Sequence, residues 1–401
     1  MTHRTRILLL IPSMASAGGT ERMVDGLSRL FAEAGLTVAQ ATFDPPGCPR
    51  HFEGPTACHR LGPIPRLPLP LRGFAYLLAA WRLRRLKSRL QIEVTISNLW
   101  GADLINVLAG GPGRRFALCH INVVGNHTNR LMVRLRPLVG AVYRRFDRVI
   151  AVSEPLAREL KWLYRLAPKR IDYINNFVNL PKTVSKLPAD GVKRFVWCGR
   201  FVQEKNVAGL LHAWSCFASG GQDRVQLVLL GDGPERLKLL ELSQRLGLRI
   251  GFTLDSDKAQ VIFQGMVRDP TSFMIGARAL ILSSYAEGFG LVVLEALTTG
   301  IPVLASDCLS GGVRAVLQGK GQCDPVRLIG EQAPGGVLLP VPNESVSTTL
   351  AIWVDWLRRL TNDEDYWMLL KQGALERARC FDSSVVRDQW LKALDISDVI
   401  A

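Results

Sequence analysis

The sequence predicts an α/β protein built from two open, doubly wound domains in tandem. Two observations carry this prediction. The 401 residues, 48% of them apolar, exceed what one hydrophobic core normally holds. Each half also opens with a β-strand pattern and then alternates strands with helices, which is typical of a parallel sheet. The segment Asn179–Gly191, which contains Pro181 and Pro188, is the candidate linker between the two domains.

In the first half, short apolar runs predict five strands. They are Arg6–Ile11, Thr37–Thr42, Gln91–Ser97, Phe116–His120 and Arg148–Val152. A helix is predicted over Thr20–Ala34, where apolar residues from Met23 to Phe31 recur at helical spacing.

The second half restarts the pattern. Its predicted strands are Lys193–Cys198, Val225–Leu230, Ala259–Phe263, Ala279–Leu282 and Pro302–Ala305. Its predicted helices are Val207–Phe217, Glu235–Leu246, Phe289–Thr299 and Val346–Arg359. Ligands of open α/β sheets bind at the carboxyl ends of the strands, so we expect a site in a cleft between the domains.

The positive charge lies almost entirely in the first half. Residues 1–182 hold 27 lysines and arginines against 11 aspartates and glutamates, a net +16, whereas the whole chain carries +15. The second half is therefore close to neutral. A basic half predicts an anionic partner there, which could be a lipid surface, a phosphorylated acceptor or a nucleic acid.

The segment Leu71–Gln91 combines apolar residues at helical spacing with a dense positive end. The apolar residues are Phe74, Leu77, Leu78, Trp81 and Leu86, and the basic residues are Arg82, Arg84, Arg85, Lys87 and Arg89. One interpretation is a surface helix with a solvated face. The other is a helix that lies on an anionic membrane surface, where each basic residue contributes about 1 kcal/mol.

A cytoplasmic location is expected. No apolar run reaches the roughly 18 residues that span a bilayer, and Pro12 ends the N-terminal apolar run too early for an export signal. The eight cysteines form no CxxC pair or zinc-like cluster, which is typical of a reducing compartment.

The strongest motif is Ser283–Pro302, SSYAEGFGLVVLEALTTGIP, which follows a predicted strand and leads into a helix. Gly288 and Gly290 allow close approach of the backbone to a ligand. The following helix N-terminus presents free N–H groups that suit a diphosphate. Glu287 precedes the helix and Glu295 lies inside it, so one carboxylate can face a sugar and the other a ribose.

With this motif the chain resembles the retaining glycosyltransferases of family 4, which have the GT-B fold of two Rossmann-like domains facing a cleft. The resemblance covers nearly the whole chain. It implies an acceptor-binding domain over residues 1–182 and a nucleotide-sugar-binding domain over residues 183–378. It also implies a C-terminal helix, residues 379–401, that crosses back to the first domain. Glu287 and Glu295 match the two acidic positions of the family motif.

Further segments match the same family. In WCGRFVQEKN, Arg200 and Lys205 occupy the positions that stabilise the leaving diphosphate. The loop SDCLSGGVR, Ser306–Arg314, has a form typical of enzymes that build bacterial surface polysaccharides. The resemblance implies further donor-binding positions at Gly18, Gly19, Val267, Gly288, Phe289, Gly290 and Leu291.

Two histidines compete for a family position close to the donor sugar. His120 directly ends a predicted strand and is favoured, and His127 is the alternative. No aspartate pair stands in a metal-binding context, and Arg200, Lys205 and the helix N-terminus make a metal unnecessary. We therefore expect no metal and no cofactor.

These patterns predict a peripheral, cytoplasmic enzyme at the inner face of the cell membrane. It would transfer a hexose or N-acetylhexosamine, most simply from a UDP-sugar, to a lipid-linked or polysaccharide acceptor in bacterial surface-glycan synthesis. One alternative is a nucleotide-sugar epimerase or hydrolase of the same fold. The other is a non-catalytic protein whose basic half binds a membrane or nucleic acid, although no segment resembles a nucleic-acid module.

Overall fold

The chain folds into two compact units in a computed structural model. The structure describes residues 5–16, 18–52, 54–64, 69–121, 135–178, 187–221, 224–256, 258–308, 310–319 and 329–396. The first unit comprises Met1–Phe177 together with Ser383–Ala401, and the second comprises Val178–Asp382.

Parallel strands form the sheet of the first unit. Within the described residues its strands are β1 (Arg6–Leu10), β2 (Thr37–Thr42), β3 (Ala57–Arg60), β4 (Val94–Asn98), β5 (Arg114–Cys119), β6 (Arg148–Ala151) and β7 (Ile171–Tyr173). They lie in the order β3-β2-β1-β4-β5-β6-β7, and every neighbouring pair is parallel. The chain leaves β1 toward one edge and returns on its other side with β4. The gap between β1 and β4 is thus the topological switch point, where open sheets bind ligands.

Six helices of the described chain complete this unit. They are α1 (Gly19–Glu33), α2 (Leu69–Leu90), α3 (Trp100–Ala109), α4 (Arg136–Tyr143), α5 (Glu154–Tyr164) and α13 (Ser383–Ala393). Helix α1 buries the predicted apolar stripe from Met23 to Phe31. Trp390 of α13 packs edge to face on Phe31, with ring centroids 5.6 Å apart. The C-terminal helix therefore returns to the first unit, as predicted.

The second unit repeats this architecture. Its strands are β8 (Lys193–Cys198), β9 (Val225–Leu230), β10 (Ile250–Gly251), β11 (Val261–Gly265), β12 (Ala279–Leu282), β13 (Val303–Ser306), β14 (Glu331–Ala333) and β15 (Gly336–Leu339). The order is β10-β11-β9-β8-β12-β13-β15-β14, with the edge strand β14 antiparallel. The switch point lies between β8 and β12, which pair directly.

Helices on this sheet bury a core rich in aromatic residues. They are α6 (Val207–Ala218), α7 (Arg236–Arg245), α8 (Thr271–Met274), α9 (Leu291–Thr298), α10 (Gly312–Leu317), α11 (Ser347–Asn362) and α12 (Glu364–Arg379). Trp197, Trp214 and Trp353 are fully buried. Trp197 stacks on Phe201, with centroids 5.4 Å apart, and so fixes the start of the loop that follows β8.

Several details differ from the sequence predictions. The strand expected from Gln91 begins at Val94, because Gln91 takes a left-handed conformation (φ 51°) that ends helix α2. The helix expected from Phe289 begins at Leu291, because Gly290 occupies its N-cap in a left-handed conformation (φ 78°). Helix α3 and the strands β3, β7, β10, β14 and β15 were not predicted; these strands are only two to four residues long, and such short runs give little periodic pattern.

Helix α2 is present, and apolar residues lie on both of its faces. Ala75, Ala79, Ala80, Leu83 and Leu86 point inward, and Lys87 is buried with them, whereas four bulky apolar residues point outward. These four are Phe74, Leu77, Leu78 and Trp81. Despite this apolar face, no helix in the described part of the chain is long and apolar enough to cross a membrane.

Candidate active site

Two predicted site residues meet at the switch point of the second unit. Lys205 lies in the loop after β8, and Glu287 lies in the loop after β12. Although the two are 82 positions apart in sequence, Lys205 Nζ lies 2.5 Å from Glu287 Oε1. The parallel pairing of β8 with β12 brings their carboxyl ends side by side, which explains the contact.

The Glu287 carboxylate is held by one of its two oxygens. Oε1 accepts hydrogen bonds from Lys205 Nζ and from Ser284 Oγ, the latter at 2.7 Å. Among the described residues, Oε2 has no hydrogen-bond partner. Burial favours the neutral Lys205 amine, but the Glu287 carboxylate outweighs burial and raises the pKa of Lys205. The site therefore keeps a fixed cation beside a carboxylate with one available oxygen.

Ser310 clasps the peptide that carries Glu287. The Glu287 N–H donates to Ser310 Oγ at 2.8 Å, and the Ser310 hydroxyl donates to the Glu287 carbonyl at 2.5 Å. A Cβ at Gly312 would lie 2.2 Å from the Gly288 carbonyl oxygen, so only glycine fits there. On the other side, Ser283 Oγ donates to the Lys205 carbonyl at 2.9 Å. The loop is thus braced before any ligand arrives.

A buried ion network supports the strand and helix behind this clasp. Arg314 lies 2.5 Å from Asp307 and 2.9 Å from Glu331, and its side chain is 5% exposed. Asp307 is fully buried. Next to it, burial raises the pKa of the Cys308 thiol to about 12, so this cysteine stays protonated and is no nucleophile.

Helix α9 follows the Glu287 loop and presents its N-terminus at the same edge of the sheet. Its first N–H groups have no acceptor within the helix, which makes this end attractive to an anion. Glu295 lies inside the helix and is only 4% exposed. Phe289 is also 4% exposed and packs edge to face on Phe381, so only its backbone remains for a ligand.

Arg200 and Val267 also follow strands of this sheet. Arg200 is exposed in the loop after β8, and Val267 is partly buried after β11. Because all these strands are parallel, both loops leave the same edge as Glu287. The structure gives no direct bond between Arg200 and the Lys205–Glu287 pair.

In the first unit, three predicted residues follow β1 and β5. Gly18 caps helix α1 and Gly19 begins it. A Cβ at Gly18 would lie 2.2 Å from Glu21 Oε2, so a phosphate close to Gly18 requires this carboxylate to move. His120 follows β5, and His127 lies outside the described residues.

Asn98, which the sequence analysis missed, determines how His120 is held. Its amide Nδ2 donates to the Leu10 carbonyl at 3.2 Å, which turns Oδ1 toward His120 Nε2 at 2.9 Å. His120 therefore carries its proton on Nε2 and leaves Nδ1 as an acceptor. Burial lowers the pKa of His120 to about 4, so the ring is neutral near pH 7. These contacts lie at the β1–β4 switch point and the strand beside it.

The missed residues Asn98, Ser284 and Ser310 share one property. Each is a common polar residue whose role depends on a partner far away in sequence or across a loop, so no local pattern marks it. Over the described residues, no cluster of three or more metal-ligating side chains occurs.

Two family models match this chain. The Glycosyltransferase Family 4 model matches residues 17–182, and the model for glycosyl transferases group 1 matches residues 192–334. Together they span most of both units, and the second match includes Arg200, Lys205 and the whole Glu287–Glu295 motif.

Several curated relatives are glycosyltransferases. An uncharacterized glycosyltransferase from Methanocaldococcus jannaschii is 25% identical over 49% of this chain and 48% of its own length. The lipopolysaccharide core biosynthesis glycosyltransferase LpsD from Rhizobium meliloti is 30% identical over 41% of this chain and 45% of LpsD. The chain thus spans about half the length of these two relatives. An uncharacterized glycosyltransferase from Haemophilus influenzae is 26% identical over 79% of this chain and 84% of its own.

Solved structures share the fold along the whole chain. Sucrose-phosphate synthase from Thermosynechococcus elongatus has a TM-score of 0.76 and 20% identity, with 98% of each chain covered. The Anabaena protein HepE, solved with UDP-glucose, has a TM-score of 0.72 and 17% identity over 98% of this chain and 100% of HepE. With two doubly wound sheets, a returning C-terminal helix and both family matches, the chain belongs to the group 1 glycosyltransferases of the GT-B fold.

Proposed function

We propose that this protein transfers a sugar from a nucleotide diphosphate sugar, most simply a UDP-hexose or UDP-N-acetylhexosamine, with retention of anomeric configuration. The observation that carries the proposal is the Lys205–Glu287 contact at the switch point between β8 and β12. This is where an open sheet binds a nucleotide. The pair offers a cation for phosphate and a carboxylate for a sugar hydroxyl.

Each side chain then has a defined task. Glu287 Oε2 accepts a hydrogen bond from a donor-sugar hydroxyl, since Oε1 is already occupied. Lys205, Arg200 and the amides from Gly288 to Leu291 bind the diphosphate and stabilise its charge as the glycosidic bond breaks. Glu295 accepts from the ribose hydroxyls, and the backbone at Val267 lies along the base. The structural neighbour solved with UDP-glucose supports a donor of this class.

Retention is proposed through a front-face reaction. The Lys205 ammonium compensates the Glu287 carboxylate, which makes this carboxylate a poor nucleophile for a double displacement. The acceptor oxygen instead attacks from the side that the diphosphate leaves. A leaving-phosphate oxygen takes the acceptor proton, the bond from the anomeric carbon to the acceptor oxygen forms, and the bond to the phosphate oxygen breaks. No metal is required, because Lys205, Arg200 and the helix amides supply the positive charge.

We further propose that the acceptor is lipid-linked or a polysaccharide and belongs to bacterial surface-glycan synthesis. The name of LpsD supports this class of product, and the net +16 over residues 1–182 supports an anionic acceptor at the inner membrane face. Neutral His120, with Nδ1 available, can accept a hydrogen bond from a sugar hydroxyl.

The test is product analysis after incubation with a panel of UDP-sugars and membrane lipid extract. We expect a glycosylated lipid or glycan whose new linkage keeps the donor's anomeric configuration by NMR, with the same yield after EDTA treatment. An inverted linkage would contradict the front-face reaction. An isomerised donor sugar formed without acceptor would instead identify an epimerase.

A further inference from the structure

Helix α2 has an exposed apolar face that takes no part in the proposed chemistry. Phe74 is 77% exposed, Leu77 56%, Leu78 40% and Trp81 49%. These residues are spaced three or four positions apart along one side of helix α2 and therefore form one continuous stripe. Exposed apolar groups are common singly, but a stripe of four bulky ones marks an interaction site.

The same helix becomes cationic where the apolar stripe ends. Arg84, Arg85 and Arg89 are exposed on its last turns. The Arg85 guanidinium lies 3.9 Å from the centroid of the Trp81 ring, which links the apolar and the basic parts. In the described chain, neither Arg85 nor Arg89 forms a salt bridge, so their charges are available to an external anion.

A groove of about 450 Å³ opens beside Trp81 and is lined by basic groups. Arg60, Arg82, Arg85, Arg89 and His59 line it, with no acidic side chain among the lining residues. Arg82 is fixed by donating to the Leu61 carbonyl at 3.0 Å. Burial, with a smaller effect of Arg89, lowers the pKa of His59, which is consistent with an uncompensated positive field in this groove.

We propose that the Phe74–Trp81 stripe inserts into an anionic lipid bilayer and that the adjacent arginine groove binds a phosphate headgroup of that bilayer. The order of residues along α2 fits an anionic bilayer. The apolar turns enter the boundary of the lipid acyl chains, and the arginines stay at the level of the headgroups. A protein partner could pair with these arginines only if its own surface were acidic. The biological role of this surface rests on the proposed lipid-linked acceptor. The binding of the surface to anionic lipid does not depend on catalysis.

The experiment measures partition of the full chain onto vesicles by co-sedimentation. Vesicles of phosphatidylcholine with phosphatidylglycerol are compared with phosphatidylcholine alone, at low and at high salt. We expect binding to the anionic vesicles that weakens as salt rises. The double variant Phe74→Ser, Trp81→Ser should lower the partition coefficient at least about tenfold, because two aromatic side chains no longer leave water.

The charge variants and a matched control locate the surface. Arg85→Gln and Arg89→Gln should each weaken binding to anionic vesicles on the order of fivefold and leave binding to neutral vesicles unchanged. Trp162→Ser is the control, since Trp162 is 73% exposed in the same unit and lies under Arg136 at 5.1 Å. An equal loss in Trp162→Ser, or undiminished binding in the Phe74→Ser, Trp81→Ser variant, would overturn the assignment.

A donor-binding assay on the same samples separates this proposal from the proposed function. Thermal shift with UDP-sugars should be the same in the wild type and in the α2 variants, which also shows that the variants are folded. Vesicle binding without any nucleotide-sugar shift would refute the donor proposal and leave the surface supported. A nucleotide-sugar shift in a wild-type protein that ignores anionic vesicles would refute the surface alone.

Discussion

Replacing Lys205 by alanine separates its structural role from its catalytic role. Lys205 and Glu287 form a charge-assisted contact of 2.5 Å, with side chains 28% and 10% exposed. Loss of one such bond lowers the free energy of unfolding by roughly 1.5–3 kcal/mol. Removal of a preorganised group from developing charge lowers kcat by about 10²- to 10³-fold. The loss of activity should therefore exceed what reduced stability explains, and should be at least about tenfold even for a weak contribution.

The assay measures kcat/KM for sugar transfer or donor hydrolysis at a temperature where urea titration shows that Lys205→Ala is folded. Lys238→Ala is the matched control, because it removes one exposed positive charge from the same unit. We expect the control to keep wild-type activity. A Lys205→Ala protein within twofold of the wild type, while folded, would refute the assignment of Lys205 to the donor site, as would an equal loss in Lys238→Ala.

Four further predictions concern stability, pH and metal. Arg314→Met removes the guanidinium that pairs with the buried Asp307 and should cost about 3–5 kcal/mol of unfolding free energy in urea titration. A cost below about 1 kcal/mol would contradict the buried network. Trp390→Ala should cost about 3–5 kcal/mol in the same measurement, and an unchanged stability would show that helix α13 does not pack on the first unit. The pKa of His120 is lowered from 6.5 to about 4 in the folded chain, so as the pH drops the unfolded chain takes up this proton before the folded chain does. The free energy of unfolding should therefore fall as the pH drops between these two values. His120→Gln should flatten this part of the pH profile of stability, and an unchanged profile would contradict a buried neutral ring. EDTA should leave transfer activity unchanged, and loss restored by Mg²⁺ or Mn²⁺ would refute the metal-free proposal.

Local patterns were sufficient for ten of the fifteen strands that form the two sheets in the described chain. The stripe of α1 and the apolar runs of β8, β9 and β12 follow directly from sequence periodicity, and their predicted bounds agree closely with the structure. Two of the boundaries that shifted are set by single left-handed residues, Gln91 and Gly290, whose backbone conformation depends on the surrounding turn. A single residue of this kind leaves no trace in the hydrophobic periodicity of the sequence.

The sequence predicted which residues belong to the site, but not the contacts that hold them in place. Lys205 and Glu287 were expected in one site, and β8 and β12 place them together. The clasp by Ser310 and the orientation of His120 by Asn98 depend on contacts between separate strands and loops. For α2 the sequence left two interpretations open, a solvated surface helix and a helix on a membrane surface. Periodicity did not show which apolar residues face inward: Ala79, Ala80, Leu83 and Leu86 pack in the core, whereas the residues from Phe74 to Trp81 named above are exposed.

The most direct measurement of the central claim is equilibrium binding of UDP-sugars to the wild type and to Glu295→Ala and Lys205→Ala. A donor at 100 times its dissociation constant should stabilise the wild type by about 2.7 kcal/mol, seen as a raised Tm. Both variants should require at least tenfold more ligand for the same shift, on the order of 1.4 kcal/mol of lost binding. A wild-type protein that no nucleotide sugar stabilises, or variants that bind the donor as tightly as the wild type, would contradict a donor site at the β8–β12 switch point.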